Sequence, residues 1–247
     1  MRNEILILRN EPRENPGLIE IVLKENNLDY TIVDFNAETR FSDADKFSAV
    51  IVLGGPESAN DQTPKMLSEL AFIKTAIDSG IPYLGICLGL QTLVKAMGGT
   101  IEKCKIPETG TRDPGGSLFR ITLTEDGKSD RLLANLPGTF NVFQLHGETV
   151  RITSEMKLLG TGDFCPDQIV RVGEKAYGIQ FHFELTDELL QAWMKEDPNL
   201  NKLDSAALLN DFNLLKPVYH LTGRQIIHNF LFIAGLIQSD NRFISIK

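Results

Sequence analysis

Gly85-Ile86-Cys87-Leu88-Gly89 decides the reading of this chain. It stands between a short apolar run, Ile81-Pro82-Tyr83-Leu84, and a stretch with Leu90, Leu93, Val94 and Met97 at helical spacing that Gly98-Gly99 closes. The first has the length and composition of a buried strand, the second those of an amphipathic helix. G-x-C-x-G at a strand-to-helix turn is the cysteine version of a nucleophile elbow, in which a sharp turn lifts the central side chain above the sheet edge. Free N–H groups and the positive dipole end of the following helix favour a thiolate there. A lone cysteine is otherwise a small buried hydrophobe, and it is the surrounding pattern that lifts Cys87 out of that class.

Upstream, strand and helix alternate. Ile5–Leu8, Tyr30–Phe35 and Ala49–Leu53 read as strands, Pro16 opens one helical stretch, and Pro64–Ser79 is another. Continuous apolar strands separated by helices predict a parallel sheet covered on both faces. Downstream, 118–123, 139–143, 148–152, 157–160, 168–172 and 176–181 read as short strands, and Thr109–Ser117 as a loop. Beyond Leu185 helices return, and residues 204–238 read as two of them, the second opened by a capping box at Thr222-Gly223-Arg224-Gln225.

The 247 residues, 42% hydrophobic, suffice for one sizeable core. A net charge of −8 argues against a nucleic-acid partner, and no apolar run approaches membrane-spanning length. Three cysteines without a C-x-x-C pair argue against a disulfide scaffold or a thiolate metal site, and no metal or other cofactor is expected. The odd count and a poised thiol suit a reducing cytoplasm, and Met1-Arg2-Asn3-Glu4 leads into the first strand without a signal-peptide pattern.

A cysteine nucleophile needs a base and a group to orient it. His182 ends the apolar run Tyr177–Phe181, and Glu184, two residues on in an extended segment, points the same way. His146 competes, because Glu148 stands two residues beyond it; we place His146 beside the substrate. Gly54-Gly55-Pro56 ends a strand, and its N–H groups together with that of Leu88 suit an oxyanion hole.

Four segments resemble the class I, triad-type glutamine amidotransferases, in that family's order: Val52–Ser58, Leu84–Gln91, Gln144–Glu148 and Tyr177–Glu184. The resemblance is nearest to free-standing relatives of the GMP synthase glutaminase domain and covers about residues 1–195. It implies a flavodoxin-like α/β fold, a mostly parallel sheet with helices on both faces. It implies Cys87 as nucleophile, His182 as base, Glu184 as orienter, Gly55 and Leu88 as oxyanion donors, and Gln91 as a contact of the substrate glutamine. Gln144, Leu145 and His146 fall in the matching substrate segment. The chain departs from the pattern at Phe183, where the family usually has proline, and at Glu148, where aspartate is common.

The reaction implied is hydrolysis of the glutamine side-chain amide through a γ-glutamyl thioester, with ammonia passed to a separate synthetase. A γ-glutamyl peptide or amine hydrolase would use the same triad on another leaving group, and a non-catalytic regulatory protein could keep the fold alone. Residues 196–247 are expected as a helical extension packed on the same domain. The sequence leaves the oligomeric state and the ammonia acceptor open.

Overall fold

The computed structural model describes residues 4–35 and 44–238. Its first half is the expected alternation: β1 (Ile5–Arg9), α1 (Leu18–Glu25), β2 (Tyr30–Asp34), β3 (Ala49–Val52), α2 (Pro64–Asp78), β4 (Tyr83–Ile86) and α3 (Leu88–Ala96). Then follow β5 (Thr100–Gly110), β6 (Arg120–Leu123), α4 (Glu125–Ser129), β7 (Thr139–Asn141), β8 (Gln144–Arg151), β9 (Met156–Thr161), β10 (Ile169–Val172) and β11 (Ala176–Ile179). Two helices close the chain, α5 (Asp187–Glu196) and α6 (Ser205–Ile233).

Nine strands form one sheet in the order β2-β1-β3-β4-β11-β10-β9-β6-β7. The first five run parallel; the last four extend the sheet antiparallel from β11. Side-chain alternation along the strands divides the core in two. Ile5 and Ile7 of β1 join Leu84 and Ile86 of β4, under α1 and the second half of α6. Leu6 and Leu8 join Val50 and Val52, under α2 and α3. The inner parallel strands β1, β3, β4 and β11 are therefore buried on both faces, which is why they read as near-continuous apolar runs, whereas β2 at the edge is only partly buried.

Three expectations need correction. Ser205–Ile233 is one helix of 29 residues where two were expected, and residues 239–247 of the expected extension lie outside the described residues. Asp204 caps it, accepting from the N–H groups of Ala206 (2.9 Å) and Ala207 (3.1 Å). The expected capping box lies inside the helix: Thr222 and Gln225 are buried there, and Gln225 bonds Asn229 instead. Pro217 is within the helix too. A proline costs an intrahelical bond, but Phe212 before it and Tyr219, Ile226 and Phe230 after it are buried, and that burial carries the helix through it. The third correction is β5, read as unstructured in part: its Thr109-Gly110 pairs with Leu145 and Gln144 of β8 in a two-stranded ribbon.

Candidate active site

The carboxyl ends of β1, β3, β4 and β11 converge, where open α/β sheets place their ligands. Cys87 stands between β4 and α3 at φ 53° and ψ −104°, a positive φ that a non-glycine residue adopts only when its surroundings enforce it. Two enforcements are visible. The Cys87 N–H donates to the Ile179 carbonyl of β11 (2.8 Å). The flanking glycines also permit contacts no side chain would: a Cβ on Gly85 would lie 2.2 Å from the Gly89 carbonyl oxygen, and one on Gly89 2.3 Å from that of Val52. The Leu88 N–H is the first of α3, without an intrahelical acceptor.

His182 follows β11. Its Nδ1 lies 2.7 Å from Glu184 Oε1, and both side chains are buried. Glu184 Oε2 accepts the Phe183 N–H at 2.8 Å, which fixes the carboxylate. The ring meets Trp193 edge-on at 4.6 Å. The His182 backbone is held from both sides, its N–H donating to Phe143 (3.0 Å) and its carbonyl accepting the Tyr219 hydroxyl (2.9 Å). Tyr219 belongs to α6, so the C-terminal helix braces this histidine. Gly223 allows the close approach: a Cβ there would lie 2.3 Å from the Phe183 carbonyl oxygen. Burial works against a charged imidazole, but the Glu184 charge and the neighbouring Cys87 thiol outweigh it and hold the His182 pKa well above its ordinary value.

A cleft of about 510 Å³ opens over Cys87. Gly55, Gln91, Leu145, His146 and His182 share its wall with Cys87. Glu184 stands behind His182. The Leu145 carbonyl faces the Cys87 sulfur at 3.7 Å. Gln91 reaches the Glu148 carbonyl (3.2 Å) and Gln180 (3.3 Å). Gln144 is not on the wall: its side chain is buried and donates to Gln168 at 3.2 Å. The Leu88 side chain is likewise in the core, leaving its backbone N–H as its contribution.

The sequence reading missed Glu14, which lies on the cleft wall in the β1–α1 loop. Burial pushes its carboxyl up to about 7, against the pull of His182. A β–α loop at the carboxyl end of a parallel strand was the available signal. It also missed a second cluster around His146. His146 Nε2 is 2.8 Å from Glu108 Oε2, and Nδ1 is 3.0 Å from the Glu148 carbonyl oxygen and 3.6 Å from the Cys104 sulfur. Cys104 and Cys165 approach to 3.0 Å. The absence of a C-x-x-C pair argued against any such grouping, yet the fold brings both sulfurs and a ring nitrogen of His146 within 4.8 Å of one another.

The chain matches the model of the glutamine amidotransferase class-I family over residues 17–196 and belongs to that family. It is 33% identical over 153 residues to the glutamine amidotransferase-like protein YfeJ of Salmonella typhimurium, covering 60% of this chain and 61% of that protein. It is 30% identical over 165 residues to the glutamine-hydrolyzing GMP synthase of Leifsonia xyli, covering 66% of this chain and 31% of that enzyme. The chain thus spans less than two thirds of either relative. A crystal structure of a glutamine amidotransferase from Thermotoga maritima superposes with a TM-score of 0.81 at 24% identity, over 95% of this chain and 99% of that one. No helix among the described residues is long and apolar enough to cross a membrane.

Proposed function

We propose that this protein hydrolyses the side-chain amide of glutamine through a Cys87-His182-Glu184 triad. One observation carries the reading: Cys87, strained at a positive φ on a helix N-terminus, shares the cleft wall with His182, an imidazole that Glu184 holds at 2.7 Å. The Cys87 sulfur attacks the amide carbon of glutamine, and the carbonyl electrons move to an oxyanion that the Gly55 and Leu88 N–H groups stabilise. His182, carrying the proton taken from the thiol, protonates the departing nitrogen, and ammonia leaves a γ-glutamyl thioester. Water, deprotonated by His182, then attacks the thioester; glutamate leaves and the Cys87 thiol is restored. Gln91, Leu145 and His146 hold the substrate. The reaction draws on no cofactor.

The ammonia passes, on this reading, to a synthetase outside the matched region. The support is the likeness to a glutamine-hydrolyzing GMP synthase, of which the aligned part is under a third. A second substrate class has an observation of its own. Glu14, Glu57, Glu148 and Asp197 line the cleft beside Arg13; Asp197 pairs with Arg13 and Glu57 with Lys65, and the carboxylate left over at Glu148 suits an ammonium on the leaving group of a γ-glutamyl amine. Ammonia release measured side by side with amine release from a panel of γ-glutamyl amines tests the pair. Glutamine should be the better substrate by kcat/KM; a γ-glutamyl amine preferred tenfold or more (roughly 1.4 kcal/mol) transfers the assignment to the second class. Neither reaction with any of them, in a chain whose Cys87 resists a glutamine-analogue electrophile, leaves a non-catalytic role.

A further inference from the structure

The cluster behind the cleft is a dithiol beside a cation. Cys104 sits where the β5–β8 register breaks, between Lys103 and Glu108, and Cys165 lies in the loop between β9 and β10. Their sulfurs, 3.0 Å apart, are inside van der Waals contact and about 1 Å beyond a disulfide bond length. Cys104 is half-buried and Cys165 buried, so a small reagent reaches Cys104 first. His146 decides what the pair can do. Its Nδ1, the ring nitrogen near the Cys104 sulfur, lies 3.0 Å from the Glu148 carbonyl, which can only accept, so Nδ1 carries a proton and not a lone pair for a metal. Nε2 stands 2.8 Å from Glu108 Oε2, an ion-pair distance without hydrogen-bond alignment, and the carboxylate there favours the imidazolium.

We propose that Cys104 and Cys165 are a redox-active pair that forms a reversible disulfide on exposure to peroxide, with the His146 imidazolium holding Cys104 as the attacking thiolate. The Cys104 thiolate attacks one oxygen of hydrogen peroxide; the O–O bond breaks, hydroxide leaves, and Cys104 becomes a sulfenic acid. Cys165 then attacks the Cys104 sulfur, the S–O bond breaks, and the hydroxyl departs with the Cys165 proton as water. The sum is two thiols and one peroxide giving a disulfide and two waters. A dithiol reductant reverses it by exchange. The electrostatics agree in direction. Burial opposes the His146 charge, but Cys104 and Glu108 raise its pKa to about 9. The Cys165 thiol donates to Cys104 and, with His146 and against burial and the Glu108 charge, lowers the Cys104 pKa, while the Cys165 thiol is raised by the same contact.

The readout is at sulfur and does not depend on the hydrolase reading. The whole chain is treated with peroxide and followed by intact mass and peptide mapping. The expected product is two hydrogens lighter, links Cys104 to Cys165, and returns to the dithiol with dithiothreitol. In Cys165→Ser the reaction stops at a Cys104 sulfenic acid that dimedone labels. The wild-type rate against pH rises with an apparent pKa below about 7, under the unperturbed thiol value of about 8.5, and His146→Gln slows it about tenfold at neutral pH as the thiolate fraction falls. The pH profile needs no variant and stands even where His146→Gln does not fold. Four results overturn the proposal: a disulfide to Cys87 instead; dimedone labelling at Cys87 with none at Cys104; a rate profile centred at the unperturbed thiol pKa; or one zinc ion per purified chain that shields both thiols.

Discussion

Two Cys–His–Glu groupings built to opposite ends reach the cleft through their histidines. In each, an imidazole lies between a sulfur and a buried carboxylate: His182 between Cys87 and Glu184, His146 between Cys104 and Glu108. In each, burial disfavours the charged ring and the neighbours outweigh it. The difference is backbone. Cys87 sits on a strained turn at the start of an α-helix, with unbonded N–H groups beside its sulfur. Cys104 sits on a bulged strand whose partner is another thiol. A tetrahedral oxyanion needs donors placed before it forms, and only the first site offers them. The same three side-chain types therefore suggest acyl chemistry in one place and sulfur chemistry in the other.

The comparison breaks most directly at the sulfurs. Cys87→Ala should lower glutaminase kcat by about a thousandfold or more, the scale of a lost triad nucleophile, whereas Cys104→Ala should stay within about threefold. Equal losses, in a steady-state ammonia assay, would remove the distinction. The carboxylates come next. Glu184→Gln should cost about a hundredfold or more by leaving the imidazole misoriented; Glu108→Gln should act on KM, through the position of His146, by about tenfold or less. The histidines sharpen the assignment of roles. His182→Ala should abolish thioester trapping by mass spectrometry, and His146→Ala should leave trapping intact at saturating glutamine while raising KM. The reverse pattern would exchange the two.

The smallest effect concerns Glu14, which borders only the first site. Its carboxyl is raised from 4.5 to about 7 in the folded chain, with burial the main cause. A raised carboxyl pKa contributes stability that is complete below the unfolded value and is lost as pH rises through the folded one. Stability should therefore fall between about pH 5 and pH 8, and Glu14→Gln should flatten that fall by about 1–3 kcal/mol in urea melts. A fall of the same size in the variant would assign the pH dependence elsewhere, with Glu69, also raised by burial to about 7, the next group to replace.

What could be read in the chain was what local pattern carries. The elbow needs five consecutive residues, and the His182-Glu184 pair two residues on one face of an extended segment, so both were visible. The parallel strands were visible because burial on two faces makes them apolar throughout. The strand β5 was not, because Glu102, Lys103 and Lys105 are solvated and its order comes from hydrogen bonding to β8. The continuity of α6 was hidden as well. A local capping signal argued for a break, and burial of Phe212, Tyr219, Ile226 and Phe230 along the helix outweighed it.

The sequence by itself determined the family and the α/β alternation and pointed to Cys87, His182 and Glu184 with His146 as a rival, because periodicity and short motifs act within a few residues of chain. Only the tertiary structure decided that Tyr219 supports His182, that Glu14 joins the cleft, and that Cys104 meets Cys165 across 61 positions. These contacts follow from the sheet order and from loop paths around it. Their energies depend on burial and on groups far apart in the chain, and no local pattern encodes such a meeting.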